Sequence, residues 1–228
     1  MRNAFATPPV RSLLGLALLA GLMACSAGFA RSQPVALPDA KLDVPASTTG
    51  PQTAVFAGGC FWGVEGVFDH VKGVTSAISG YSGGKAHTAN YETVSTGTTG
   101  HAESVRVVYD PAQVSYGQLL KVYFSVAHDP TQLDRQSPDV GPQYRSEIFT
   151  TNAAQQQVAN AYIAQLSAAK VFADPIVTRV EPLQHFYPAE DYHQNYLEMH
   201  PHEPYIVYND APKLVHLKAM FPALYKGR

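Results

Sequence analysis

The stretch Thr53-Ala54-Val55-Phe56-Ala57-Gly58-Gly59-Cys60-Phe61-Trp62-Gly63 decides how the chain is read. Thr53 to Ala57 is a short apolar run closed by two glycines, the pattern of a strand with a tight exit. Beyond the glycines, Val64, Val67, Phe68 and Val71 recur at helical spacing, so a helix starts near Cys60. Cys60 therefore falls at a strand-to-helix turn. Free N–H groups and the positive end of the helix dipole favour a thiolate there, and the thiolate is the reactive form. Glycine lets the backbone turn sharply without a Cβ clash. Phe61 and Trp62, the single tryptophan, wall the sulfur with apolar surface. An isolated cysteine is more often a buried, inert one; the Gly-Gly-Cys turn favours a reactive one.

Outward from this turn, strands and helices alternate. Val74 to Tyr81 reads as a strand, residues 82 to 102 as a long Gly/Ser/Thr-rich loop, and Val105, Val107 and Tyr109 as a strand stopped by Asp110-Pro111. Ser115 is placed to cap a helix carrying Tyr116, Leu119, Leu120 and Tyr123. Residues 128 to 144 hold three prolines and three aspartates and read as a second long loop. Arg145 to Thr150 is a strand, Asn152 caps a helix reaching about Lys170, and Ile176 to Val180 is a last strand. A further helix is expected around Ala189 to Glu198, with a proline-broken tail beyond. Alternation of this kind predicts an α/β (α+β plait) architecture, with a mixed β-sheet core, flanking helices and long loops at the site.

Four residues outside the cysteine turn carry candidate chemistry. Glu103, just before the valine-rich strand, is either a solvated edge glutamate or a carboxyl kept neutral by burial and like charge, and so a proton donor. Tyr91 and Tyr144 lie in the two long loops, where binding residues concentrate, though ordinary packing explains either alone. Asp139, five residues before Tyr144, is either a turn former or a site residue. His200-Pro201-His202, with His193 and Glu203 nearby, gives no regular ligand face because proline interrupts it, so no metal site is read there. Gly80-Tyr81-Ser82-Gly83-Gly84 lacks the GK[ST] of a phosphate loop, and no G-x-S-x-G elbow is present.

Composition narrows the class. Of 228 residues, 46% are hydrophobic, enough for a full core, and the net charge of −2 argues against a nucleic-acid binder. Two cysteines exclude a disulfide scaffold or a Cys₄ zinc site. Residues 1–25 read as an export signal: Arg2 and Arg11 precede the apolar run Leu13 to Ala24, too short to span a bilayer. Leu22-Met23-Ala24-Cys25 resembles a bacterial lipobox, which implies lipidation of Cys25 and a domain anchored in the cell envelope facing the periplasm. Cleavage after Gly28-Phe29-Ala30 is the alternative, giving a soluble periplasmic protein. Residues 26–52, with four prolines and two glycines, read as a flexible linker, and the folded domain as 53–228.

The run Gly58-Gly59-Cys60-Phe61-Trp62-Gly63 closely resembles the signature of the peptide methionine sulfoxide reductase A family. Gly80 to Gly84, Thr99-Gly100-His101-Ala102-Glu103, Gln143-Tyr144-Arg145-Ser146 and Ala189-Glu190-Asp191-Tyr192-His193-Gln194 agree in order and spacing. The resemblance implies Cys60 as nucleophile, Phe61 and Trp62 around the substrate methyl, and Glu103 protonating the sulfoxide oxygen. It also implies Tyr91 and Tyr144 bonding that oxygen, Asp139 positioning the substrate, and Tyr192 lining the site. It implies the S epimer of methionine sulfoxide, in oxidised proteins or peptides or free, as substrate, with no bound cofactor and a monomer. Many members carry resolving cysteines near the C-terminus, whereas residues 61 to 228 contain none. The sulfenic acid must then be resolved by an external thiol, either a small thiol or a thioredoxin-like protein. A thiol peroxidase and a module that binds oxidised methionine without turnover are the competing classes. Turnover of methyl sulfoxides separates the first, and a stoichiometric burst of methionine the second.

Overall fold

In a computed structural model, which describes Met1 and residues 36–45 and 50–227, the chain order is Gln52–Ala57 (β1), Phe61–Asp69 (α1), Val74–Ser82 (β2), Tyr91–Val94 (α2), Ala102–Tyr109 (β3), Tyr116–Val122 (α3), Arg135–Gln136 (β4), Asp139–Val140 (β5), Glu147–Thr150 (β6), Ala153–Ala168 (α4), Arg179–Pro182 (β7), Phe186–Pro188 (β8), Tyr196–Met199 (α5) and Ala211–Met220 (α6). Six strands form one sheet in the order β7-β6-β1-β3-β2-β8. β6 and β7 run parallel and the other neighbours antiparallel, so the sheet is mixed as expected. β4 and β5 pair apart from it.

Period-2 alternation sorts the strands into two faces. Ala54 and Phe56 of β1 and Val105, Val107 and Tyr109 of β3 pack in the main core with Phe61, Val64, Val67 and Phe68 of α1. Phe56 stacks between Phe68 at 4.9 Å and Tyr123 at 5.0 Å, ring centre to ring centre. The opposite face, Val55, Ala57, Ala102 and Phe149, is covered by Leu183 and Phe186. The two helix caps legible in the sequence form. Ser115 and Gln118 make a reciprocal capping box on α3, and the Asn152 side chain accepts from Gln155 N–H on α4 at 2.9 Å.

Several elements differ from the sequence expectation. The loop at 82 to 102 contains a 3-10 turn, Ala86–Thr88, and α2, which Asn90 caps. β7 starts later than expected because Val177 N–H bonds Pro130 O instead of a strand neighbour. The helix expected around Ala189 to Glu198 splits into the 3-10 turn Asp191–His193 and α5, broken at Asn195, whose φ is +54°. The tail is not irregular. A π turn, Ile206–Asp210, leads into α6, whose proline falls in the first turn, where a missing N–H does no harm.

Residues 36–45, read as part of the linker, lie on the domain. Leu37 is buried in the main core, and Tyr162 Oη donates to Pro38 O at 2.8 Å. The Asp43 carboxylate accepts from Ser115 Oγ at 2.5 Å and from Gly117 N at 2.8 Å, taking up free donors at the start of α3. One apolar side chain and these bonds offset the entropy of ordering the strap. Cys25, the export segment and residues 46–49 lie outside the described residues.

Removing the Leu37 side chain empties a core site at the edge of the fold. Leu37→Ala is expected to destabilise the domain by about 2–3 kcal/mol, the lower part of the range for buried leucine because a strap relaxes more easily than a helix. The urea midpoint should fall while kcat/KM stays within about twofold of wild type.

Candidate active site

The Gly58-Gly59 turn seats the cysteine. Gly59 adopts φ +87°, and a Cβ there would lie 2.6 Å from Gln136 Cβ, so both its conformation and its surroundings require glycine. Cys60 follows as the N-cap of α1, with Phe61 as the first helical residue. Its thiol is buried, 8% exposed. Burial pushes the thiol well above its usual range, and the charges of Glu103, Asp210 and Asp139 push the same way; the Trp62 N–H pulls it down without reversing the balance. The thiolate expected from the helix N-terminus is therefore not the resting form. One N–H and half a dipole charge are outweighed by desolvation and neighbouring carboxylates.

Glu103 stands opposite Tyr81 in the β3–β2 ladder. It continues backward the apolar alternation of Val105, Val107 and Tyr109, so its side chain enters the main face of the sheet. Glu103 is 3% exposed, and one of its oxygens accepts from Phe61 N–H at 3.0 Å. Burial raises its carboxyl to about 8, although that N–H pulls the other way. A neutral carboxyl thus bonds the N–H of the residue next to the cysteine.

The other expected residues distribute as follows. Tyr91 opens α2, and its backbone N–H is held by Glu190 at 2.9 Å. Tyr144 ends the 3-10 turn Pro142–Tyr144. Burial raises both phenols, and the charge of Glu103 is the next cause for each, with Cys60 also contributing; both face the Cys60–Glu103 pair. Asp139, in β5, accepts a hydrogen bond from the Tyr205 hydroxyl. Phe61 is fully buried, and Trp62 stacks on Tyr196 with ring centres 3.8 Å apart. Tyr192 is 61% exposed. It stands at the rim, its ring 4.2 Å from His193.

Residues given no site role in the sequence complete the wall. His193 is buried, accepts from the Trp62 indole N–H at 3.1 Å, and packs on Phe61 at 5.0 Å and Tyr91 at 4.6 Å. Burial lowers its pKa, so its ring is neutral and leaves the indole its acceptor. Tyr205 meets Trp62 edge-on at 5.8 Å. Glu190 joins Tyr81 Oη, at 2.9 Å, to the start of α2. His193 and Glu190 lie within the Ala189 to Gln194 motif, a signal that was available. Tyr205 had none, because its role comes from packing over Trp62. Among the described residues no group of three or more His, Cys, Asp or Glu side chains is arranged to hold a metal ion.

A buried thiol, a neutral carboxyl, two phenols and an aromatic wall at one strand-to-helix turn define a thiol-dependent oxidoreductase site. The profile of the peptide methionine sulfoxide reductase family matches residues 52–223, and the chain belongs to that family. It is 63% identical over 179 residues to Peptide methionine sulfoxide reductase MsrA 2 of Mesorhizobium japonicum, covering 78% of this chain and 92% of the relative. It is 56% identical over 181 residues to the protein of the same name in Synechocystis, covering 78% and 85%. Among solved structures, methionine sulfoxide reductase A of Corynebacterium diphtheriae aligns with TM-score 0.58 and 37% identity, over 74% of this chain and 84% of that one. Reduced Mxr1 of Saccharomyces cerevisiae aligns with TM-score 0.62 and 30% identity, over 68% and 89%.

A carboxyl lifted to about 8 from an ordinary value of 4.5 binds a proton that the unfolded chain has lost between those values. Stability therefore falls as pH rises through that window. At about 1.4 kcal/mol per pH unit, the penalty near pH 7 is about 3 kcal/mol. Glu103→Gln needs no proton, so it should melt several degrees higher than wild type at pH 8, with little difference at pH 5. Thermal unfolding at the two pH values checks the sign.

Proposed function

We propose that this chain reduces the S epimer of methionine sulfoxide to methionine by attack of Cys60 on the sulfoxide sulfur, with Glu103 as proton donor. The observation that carries the reading is the buried, neutral Glu103 carboxyl hydrogen-bonded to the first N–H of the helix that Cys60 caps. Sulfoxide sulfur is electrophilic, but oxide is a very poor leaving group. Attack succeeds only as the oxygen gains a proton, and a carboxyl still protonated at neutral pH supplies one. Tyr91 and Tyr144, whose hydroxyls stay protonated, donate to the same oxygen. Phe61 and Trp62 hold the methyl group, and Asp139, fixed by Tyr205, orients the rest of the substrate. A fixed methyl wall and fixed oxygen donors on one side select one configuration at sulfur.

Attack forms a sulfur–sulfur bond as the protonated oxygen leaves as water; water then adds to the Cys60 sulfur and breaks that bond, releasing methionine and leaving a sulfenic acid. Sulfoxide sulfur is reduced by two electrons and the cysteine oxidised by two. With no cysteine among residues 61 to 228, the sulfenic acid is resolved by an external thiol, either a small thiol or a thioredoxin-like protein, through a mixed disulfide. Tyr192, exposed at the rim, is given no contact with the reacting group.

The test is a burst. With Cys25→Ala in the full chain, Cys60 is the remaining sulfhydryl, and about one methionine per enzyme is expected without reductant. A sulfenic-acid trap should then label Cys60, and adding a small thiol should restart turnover. Cys60→Ser should give no burst, and Glu103→Gln should slow it by roughly 10²-fold. Two methionines per enzyme would reveal another reducing group.

The reading of residues 1–25 as an export signal with Cys25 lipidated places this repair in the cell envelope. It is supported by the Leu22-Met23-Ala24-Cys25 motif and the linker behind it. Cys25→Ala should move the full chain from membranes to soluble or unprocessed fractions. A mature N-terminus at Arg31, read by mass spectrometry, would instead mean a soluble exported enzyme.

A further inference from the structure

Asp210 ends the π turn before α6 and is fully buried. One carboxylate oxygen accepts from Lys213 Nζ at 3.0 Å, and the other has no hydrogen-bond partner among the described residues. Asp210 stands at the N-cap of α6, where aspartate usually bonds a free backbone N–H, yet it makes no such bond. Its carboxylate is pressed on α1 instead. A Cβ at Gly63 would overlap it and would lie 2.6 Å from Lys213 Nζ. Gly63 is one helical turn beyond Cys60, so only glycine lets this pair come so close beneath the reactive turn.

A buried ion pair is rarely a good source of stability. Desolvation takes back most of the attraction, and an unpartnered carboxylate oxygen costs more still. Its field, however, acts on the site. The charge of Asp210 raises Cys60, Glu103 and Asp139, in each case after burial, while the Lys213 charge pulls Asp139 and Asp210 itself down. Glu103 from β3, Asp139 from β5, Tyr144 from the 3-10 turn, Tyr91 from α2 and Tyr205 from the tail also face the thiol, and none of them is a cation.

We propose that the buried Asp210–Lys213 pair is a positioning element for catalysis that sets, through its field on Cys60 and Glu103, the pH window in which thiol and carboxyl together hold the proton the reaction needs. Burial is the main cause that keeps both groups protonated, and the Asp210 charge beneath Gly63 adds to it. Burial raises the Asp210 carboxyl, and the Lys213 ammonium draws it back toward the ionised form and limits its effect. The role rests on the assignment of Cys60 and Glu103 above but is measurable without turnover.

The test follows iodoacetamide alkylation of Cys60 in the full chain against pH, with the adduct read by peptide mass spectrometry. Asp210→Asn leaves Lys213 unopposed and should move the midpoint to lower pH by about 1 unit. The double variant Asp210→Asn/Lys213→Met removes both charges and should fall between Asp210→Asn and wild type. Lys213→Arg keeps the charge and should match wild type. The alkaline limb of the single-turnover sulfoxide rate should shift in the same order. The double variant guards against misfolding of the single one, because replacing a buried pair by uncharged groups is commonly neutral for stability. Midpoints for folded Asp210→Asn and the double variant within about 0.2 unit of wild type would overturn the proposal and leave the pair a packing feature. A Cys60 shift without sulfoxide turnover would uphold it while removing the assigned reaction.

Discussion

The hydrogen bond from Phe61 N–H to the Glu103 carboxyl is the contact on which the site depends. It joins the first turn of α1 to the apolar face of β3, and it uses one of the free donors at the head of the helix. An N–H donating to a carboxyl favours the charged form, so alone it would make Glu103 a weaker acid donor. Burial works against it and wins, because the carboxyl sits over Val105, Val107 and the packed face of α1, where a full charge is far more costly than a lost proton. The bond therefore fixes where the carboxyl is, and the core beneath fixes what state it is in. A core loosened enough to admit water would keep the bond and lose the neutral acid.

The remaining site residues come from separate segments, and buried polar bonds hold them in register. Arg145 is 7% exposed and donates to Glu147 at 2.5 Å, to His101 O at 3.1 Å, to Pro142 O at 2.9 Å and to Gly100 O at 3.0 Å. One guanidinium thus links the entry to β3, which carries Glu103, with the turn that ends at Tyr144. Five donors in a planar fork allow this, and lysine offers no such geometry. Behind the cysteine turn, His128 packs on Gly58 and bonds Ser146 Oγ at 2.7 Å, with burial holding the ring neutral at about 3. The segments read as long loops are tied by buried polar bonds at the positions that carry site residues.

The sequence made the core of this arrangement legible because its signals are local. The Gly-Gly-Cys turn, the period of α1 and the caps at Ser115 and Asn152 each depend on residues within one or two turns. The Val105-Val107-Tyr109 alternation also bears on Glu103: counted back two residues, it puts the carboxyl on the apolar face, which decides between a solvated and a neutral glutamate. What was not legible depends on distant contacts. Nothing local in Leu37 or Asp43 shows that they find the core and the head of α3, so the strap read as linker. Tyr205, Asp210 and Lys213 lie in a tail whose prolines suggested irregular chain, and their place beside Trp62 and Gly63 comes only from how α6 packs on α1. The protonation state of Cys60 is likewise set by distant contacts. The helix N-terminus is a local fact, whereas the burial that chiefly outweighs it, and the carboxyl groups of Glu103, Asp210 and Asp139 that add to it, come from β3, the tail and β5.

Those carboxylates also bear on how a lone thiol survives. A thiolate at a helix N-terminus reacts with any small oxidant that reaches it, and the sulfinic acid that follows sulfenic acid is not reversed by ordinary thiols. Among the described residues Cys60 is the one cysteine, so no neighbouring thiol there intercepts that step. Holding Cys60 protonated and 8% exposed lowers its reactivity in the resting enzyme. On the proposed mechanism, a sulfoxide held at the aromatic wall brings an oxygen that takes the Glu103 proton. As that proton leaves toward substrate, the carboxylate left behind is balanced by charge developing on the sulfoxide, and the thiol proton finds an acceptor it lacked before. Reactivity is thereby tied to the presence of the substrate oxygen rather than to a standing thiolate, which is the arrangement a single-cysteine reductase requires.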